Sequence, residues 1–404
     1  MNEPLIRGWC PGVRRPMRSG DGLILRLRIT GGRLGPEVAR AIADIALRHG
    51  NGELDLGRRG GLQLRGVRED DYAAVLAEVA NLGLLDADAG TEAIRNVVVS
   101  PLSDLDETAE GDAFVLARQL EAALVADGFL RGLPAKFGFS IDDGGRIGLG
   151  AVPADVRLKF VRDGMAISLD GGALATRILP EEAVGAALRF ARAFLDLAPT
   201  VDPQPRRMAA LVGQLGAEVV FAAAGLEPTG VASPDRSEAT PLVGAFPAHV
   251  GVALPFGRLS ANQLRTLADF AASDIRLTPF RAVLLPGVSA DVLPRLSEAG
   301  FLTRSDDPLL AVAACPGAPA CGAAEIETRS LARRLTALQS DARGVWLHIS
   351  GCEKSCASSA THAVTLVGRD GGLDLVLDGR PTDPPRHTGL SPEAIESLFR
   401  SGTL

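Results

Sequence analysis

The chain has 404 residues, 46% hydrophobic and 23% charged, which is the balance of an ordinary globular protein with room for two or three domains. A formal net charge of −7 excludes general electrostatic attraction to nucleic acid, while leaving a local cationic cleft open. There is no apolar run of the roughly 18 residues that a membrane span needs. The opening residues through Gly12 lack the charged and apolar regions of a secretory signal, so a cytoplasmic protein without disulfides is expected.

Leu23, Leu25, Leu27 and Ile29 alternate with polar residues and predict a strand. A helix follows over Pro36–His49, with proline near its start and Gly50 at its end. Two short strands and a helix over Asp70–Asn81 complete a β-α-β-β-α unit, a ferredoxin-like half-module spanning 15–85. A longer α/β segment over 90–226 carries a helix at Ala113–Asp127, strands around Phe137–Ile141 and Val156–Phe160, and a helix at Glu181–Leu197. Residues 227–247 are rich in Pro, Gly, Ser and Thr and read as a linker.

The pattern then repeats. Val250, Val252 and Leu254 alternate as the first strand did, and helices follow at Ala261–Ser273 and Ala290–Glu298, giving a second half-module over 248–305. A second α/β domain over 308–404 holds a helix at Ile326–Leu338, a strand at Val345–Ile349, and a hairpin of Val364–Val367 with Leu373–Leu377. Three marks keep their order in both halves: Gly32-Arg33-Leu34 with Gly257-Arg258-Leu259, Ala43-Asp44 with Ala268-Asp269, and Gly66-Val67 with Gly287-Val288. The fold class is therefore α+β, a duplicated chain with pseudo-twofold symmetry and a seam suited to an active site.

Four of the five cysteines form one pattern, Cys315-x5-Cys321 and Cys352-x3-Cys356. Soft thiolates suit iron–sulfur clusters, zinc or Cu(I). Neither pair has the two-residue spacing usual in zinc knuckles, so the pattern reads as an iron–sulfur cluster, with zinc as the alternative. Gly317, Gly322 and Gly351 let backbone amides approach the sulfurs, and Lys354 adds a nearby positive charge.

This cysteine pattern, placed behind a second half-module, resembles the sirohaem-dependent sulfite and nitrite reductase superfamily over nearly the whole chain. The resemblance implies a four-iron, four-sulfur cluster (4Fe-4S) on Cys315, Cys321, Cys352 and Cys356, with Cys356 at the position that bridges to sirohaem in the reductases. Within the superfamily, Arg7–Gly12, Gly20–Leu23 and the short length are similar to the precorrin-3B synthase family of aerobic cobalamin biosynthesis. That family is implied to be a monooxygenase, using O2 to hydroxylate precorrin-3A at C20 and closing a lactone with the ring A acetate. The tetrapyrrole is then the substrate, in place of a bound sirohaem.

The same resemblance carries over site residues. Arg59 matches an active-site arginine of the reductases, and Arg95 in Arg-Asn-Val matches a second. Lys136 in Leu-Pro-Ala-Lys matches the first of two lysines, and Gly138 stands where the second is found. That loss argues against six-electron anion reduction, which keeps a sirohaem-dependent sulfite or nitrite reductase as the alternative. An electron-relay protein needs no polyanion pocket. Lys136 and Arg95 are the expected catalytic residues. Arg59, Arg95, Lys136, Arg26 and Arg28 are the expected substrate ligands, with Arg58 and Arg65 as further candidates. Arg26 and Arg28 share a strand face opposite the leucines.

The family also implies a mononuclear non-haem iron, but the five histidines, His49, His249, His348, His362 and His387, show no ligand spacing. Cys10 is a structural thiol or a cleft-lining one. No dinucleotide fingerprint follows a strand, so electrons are expected from a partner protein or from NAD(P)H bound without that motif.

Overall fold

The computed structural model describes residues 10–232, 241–338 and 346–402. Arg7–Trp9 of the opening motif and Val345 of the expected strand lie outside them. Four sheets organise the chain. Two belong to the half-modules, and they are not separable. The first runs Met17–Ser19, Gly22–Leu27, Leu62–Val67, Glu53–Leu56 and then Arg258–Ser260 from the second half. The second runs Gly244–Ala245, His249–Ala253, Ala282–Pro286, Ile275–Leu277 and then Arg33–Leu34 from the first half. Each half thus lends one short strand to the other.

The exchange is local and symmetric. Gly31 turns the chain into its strand at φ 59°, and Phe256 does the same at φ 57°. Gly31 needs to be glycine, because a Cβ there would fall 2.4 Å from the Phe114 ring. The helices Pro36–His49 and Ala261–Phe270 bury Ile42, Ala43, Ile45, Leu264, Leu267 and Ala268 in one shared core. Arg40 bonds Asp269, and Arg265 bonds Asp44 in return. These exposed pairs contribute little stability. They mark the twofold relation, as each arginine stands four residues before the acid of its own helix.

The other two sheets share a plan. Val97–Val99, Phe139–Asp142 and Val156–Val161 run parallel, then Gly164–Leu169, Leu174–Ile178 and Gly230–Val231 continue antiparallel. Val312–Ala314, Leu347–Ser350 and His362–Arg369 run parallel, then Gly372–Gly379 and His387–Leu390 continue antiparallel. Each sheet has its own apolar core. Among the described residues no helix is long and apolar enough to cross a membrane.

Some boundaries differ from the sequence expectation. The expected linker 227–247 carries edge strands at both ends, and its residues 233–240 lie outside the described part. The helix expected from Ile326 begins at Thr328. The Ile326 carbonyl instead accepts from Ala318 N at 2.8 Å, which ties that residue into the cysteine loop.

His249 is 5% exposed, stacks on Phe246 at 4.7 Å, and has no ring-nitrogen partner among the described residues. Burial, then the nearby Arg276 charge, pushes it down to about 4. The ring is therefore neutral in the folded chain while the unfolded one protonates near 6.5. Its contribution is complete above that pH and is lost as pH falls toward 4. Urea unfolding at pH 7 and 4.5 should show this loss, and His249→Leu should reduce the difference by roughly 2 kcal/mol.

Candidate functional site

The site begins with a tight hairpin turn between Glu53–Leu56 and Leu62–Val67. Gly60 N donates to Gly57 O at 3.0 Å, and Gly60 adopts φ 69°, so Arg58 and Arg59 occupy the turn's tip. Arg59 Nη2 donates to the Lys136 carbonyl at 2.5 Å. Burial first, then the charge of Arg26, lowers Arg59 to about 10. Arg28 is lowered to about 10 by the same two causes in the same order. The Nε atoms of Arg26 and Arg28 are buried with no partner among the described residues. The first strand and the turn therefore bring Arg26, Arg28 and Arg59 together, as a crowd of cations in an acidic chain. Such crowding suits an anionic ligand.

Asn96 ties this crowd to the Lys136 segment. Its Nδ2 donates to the carbonyls of Ala93 at 2.7 Å, Ala135 at 3.1 Å and Phe137 at 2.9 Å, while its Oδ1 accepts from Arg28. Asp155 holds the same segment from below. It accepts from Gly138 N at 2.9 Å, from Arg207 Nε at 2.9 Å and from Met208 N at 2.8 Å. Gly138 leaves little space for a side chain, since a Cβ would lie 3.2 Å from Asn96 O and 3.5 Å from Arg59 Nη2. Arg59 lies across the place that a longer residue would take. The Lys136 side chain itself is exposed.

Arg95 is placed differently. It pairs with Asp86 at 2.5 Å and Glu121 at 3.0 Å, and donates to Thr30 Oγ1 at 3.1 Å. Its guanidinium thus forms ion pairs, which those of Arg26, Arg28 and Arg59 do not among the described residues. Arg65 is buried and paired with Asp21 and Asp55. Sequence reasoning had Arg95 in view and passed over Asn96 beside it. The available signal was an amide flanked by a motif arginine and the strand Val97–Val99.

A cavity of about 710 Å³ is reached from this group through Arg28, and is lined by Cys10, Arg28, Glu92, Arg131, Ala135 and Arg206 among others. Its volume is that of a small-molecule site. Glu92 shapes one wall by accepting from Val13 N at 2.5 Å and Arg14 N at 3.1 Å. Gly12 must lack a side chain there, because a Cβ would fall 2.2 Å from Glu92 Oε2. This clip carries Cys10 to the cavity.

The four cysteines of the C-terminal domain come from two loops. Cys315 is buried, Cys321 and Cys352 are half-buried, and Cys356 is exposed. Gly351 N donates to Cys315 Sγ at 3.2 Å. Although much of Cys356 is open to solvent, its Sγ is crowded by the loop, and that desolvation, then the charges of Cys315, Cys352 and Cys321, raises it to about 11. Burial first, with Cys321 and Cys315 adding, also raises Cys352. The thiols are near enough to repel one another when ionised. Among the described residues no three His, Cys, Asp or Glu are grouped as a single metal ion requires. Arg281 joins this end of the molecule to the other, donating to Ala357 O at 2.8 Å while being lowered to about 10 by burial and then by Arg58. His348 is fully buried, and its ring meets that of His362 at 5.2 Å.

Asn96→Ala removes three bonds to loop carbonyls and frees Arg28. It should lower the unfolding free energy by about 2–4 kcal/mol in urea titration, because buried acceptors are left unsatisfied.

With this geometry in hand, known proteins show where the chain stands. A model described as the nitrite/sulfite reductase ferredoxin-like half domain matches residues 15–82 and 246–299. A precorrin-3B synthase from Sinorhizobium sp is 32% identical, over 94% of this chain and 84% of its own. A ferredoxin–nitrite reductase from Synechococcus elongatus is 28% identical, over 92% of this chain and 82% of its own. The solved NirA protein of Mycobacterium tuberculosis shares the fold, with a TM-score of 0.76 at 19% identity over 94% of this chain and 79% of that one. By its likeness to the synthase along almost its full length, the chain belongs to the precorrin-3B synthase family, within the nitrite and sulfite reductase superfamily.

Proposed function

We propose that the chain is an oxidoreductase of cobalamin biosynthesis, an O2-dependent precorrin-3B synthase that hydroxylates precorrin-3A at C20 and closes the ring A lactone. The observation that carries this reading is the crowding of Arg26, Arg28 and Arg59, of which Arg28 lines a cavity of about 710 Å³. An acidic protein gathers buried cations in this way to hold a polycarboxylate. Gly138 favours the synthase over a reductase, since the second lysine of the anion site is absent and Arg59 covers its place.

Cys315, Cys321, Cys352 and Cys356 would hold a 4Fe-4S cluster. The donor set supports it: two pairs of soft sulfur donors stand on two loops of one domain, and an amide already points at Cys315 Sγ. Neither pair has the two-residue spacing usual in zinc knuckles, which favours the cluster over the zinc alternative. When bound, the cluster supplies one-electron transfer. A monooxygenation consumes O2, two electrons and two protons and releases water, so an external donor is required. The described residues offer no ligand set for a mononuclear iron, and none is assigned.

The chain's own residues have distinct tasks here. Arg26, Arg28 and Arg59 bind and orient substrate carboxylates. Asn96 and Asp155 keep Lys136 and Arg59 in register. Lys136, next to the lining residues Pro134 and Ala135, would take the proton-exchanging role that the resemblance gives it. Arg95 ties Thr30 and Glu121 together behind the Asn96 segment.

Protein purified without air should contain about four irons and four sulfides per chain and show a broad thiolate absorption rather than sirohaem bands. Incubation with precorrin-3A should add one oxygen atom only when O2 is present. Stoichiometric sirohaem would overturn the reading in favour of a reductase. Cys356→Ser should lose cluster and activity together. Arg59→Ala should leave the cluster intact and weaken substrate binding roughly 10- to 100-fold, as expected for one charge-assisted contact of about 1.5–3 kcal/mol. Calorimetric titration of the tetrapyrrole measures that loss.

A further inference from the structure

The carbonyl of Ala320, the residue before Cys321, accepts from two side chains of the opposite half. Ser19 Oγ donates at 2.7 Å and Arg65 Nη2 at 2.9 Å. Arg65 is only 3% exposed. Its remaining donors go to Asp21 at 2.9 and 3.0 Å and to Asp55 at 3.3 Å. Asp55 also takes Arg258 Nε and Arg329 Nη2, each at 3.1 Å. Arg258 belongs to the exchanged strand, and Arg329 lies in the first turn of the helix that leaves the cysteine loop. The turn between Met17–Ser19 and Gly22–Leu27 presses on the same loop: a Cβ on Gly20 would fall 2.3 Å from Pro319 O. This network touches neither the cavity lining nor the arginines at its edge.

Burying several ionised groups is a poor way to gain stability, because desolvation offsets most of the attraction. What the charges add is direction. A peptide group is planar and rigid, so fixing the Ala320 carbonyl also fixes the N–H of Cys321 on its far side. That N–H donates to Gly317 O at 2.8 Å, which closes the loop around the cysteine. Both ends of one peptide plane are therefore held, one by the first half-module and one by the loop itself.

We infer that Ser19 and Arg65, steadied by Asp21 and Asp55, are positioning residues for Cys321, and that they orient its thiolate toward the cluster. The inference rests on the cluster assignment above. It makes the first half-module part of the cluster's binding site, although every ligand comes from the C-terminal domain.

Full-length holoprotein carrying Ser19→Ala or Arg65→Lys tests it, with Ser330→Ala as the control. Ser330 is exposed on the same helix as Arg329, and among the described residues its hydroxyl bonds only Glu327. Two readouts are followed: the rate at which a ferrous chelator bleaches the cluster, and the EPR spectrum of the dithionite-reduced protein. Ser19→Ala and Arg65→Lys should bleach severalfold faster and show shifted g-values, while Ser330→Ala should match the wild type. Wild-type rates and spectra in both variants would overturn the inference. A wild-type protein that binds no cluster would overturn the cluster assignment itself, which is a separate result.

Discussion

The reciprocal loan of one strand between the half-modules is the constraint on which the other parts depend. Arg33–Leu34 completes the second sheet, and Arg258–Ser260 completes the first. The two halves consequently share one apolar core and cannot shift relative to each other without breaking main-chain pairing. The hairpin turn with Arg58 and Arg59 is pressed against the strand Ile275–Leu277, where a Cβ on Gly60 would lie 3.1 Å from Leu277 O. This sets the first half's arginines facing Arg281 and, through it, the Cys356 loop. A site built from two halves needs such a fixed seam, because small misplacements of charged groups are costly for catalysis.

Symmetry of backbone has not kept symmetry of chemistry. At one exchanged strand Arg258 lies opposite Asp55, a direct ion pair. At the other Arg33 lies opposite Arg276, and the two cations share Asp104 and Asp274 instead. The left-handed position that is Gly31 in the first half is Phe256 in the second, where its ring packs into the C-terminal core. The first half crowds Arg26, Arg28 and Arg59, with Arg28 on the cavity. Only the second gathers thiols. The duplication supplies a shared frame, and each copy fills it with a different reagent.

Much of this frame is legible in the sequence because several local signals agree. Pro36–His49 has its proline, its glycine and its apolar spacing in register, and the helix forms over those bounds. The alternation Leu23, Leu25, Leu27 gives a strand with those three residues buried. Short elements carry weaker signals. The helices Met208–Leu215 and Ala217–Ala223 are about two turns each, too short for a period to stand out among alanines and leucines. The helix expected through Ser273 stops at Phe270, since Asp274 is needed against Arg33 and Arg276, an interaction from another part of the chain. The site divides in the same way. The cysteines announce themselves by spacing. Asn96, Asp155 and Glu92 do not, because each bonds backbone groups that lie 41, 17 and 78 residues away and that only the fold brings near. Arg95 fits a motif, yet its partners Asp86 and Glu121 lie outside that motif.

The strand loan also bears on how the molecule can be made. A chain emerging from the ribosome presents its first half long before Arg258 exists, so the first sheet must wait with one edge unpaired. Contacts across more than 200 residues close late and slowly, and an open edge invites pairing with the wrong chain. Met17–Ser19 covers the opposite edge early, leaving Glu53–Leu56 as the exposed one, and its inward Asp55 is a charge that discourages intrusion by another strand. The same carboxylate that later joins the two halves can thus act as a guard during synthesis, before its arginine partners from the second half have been translated.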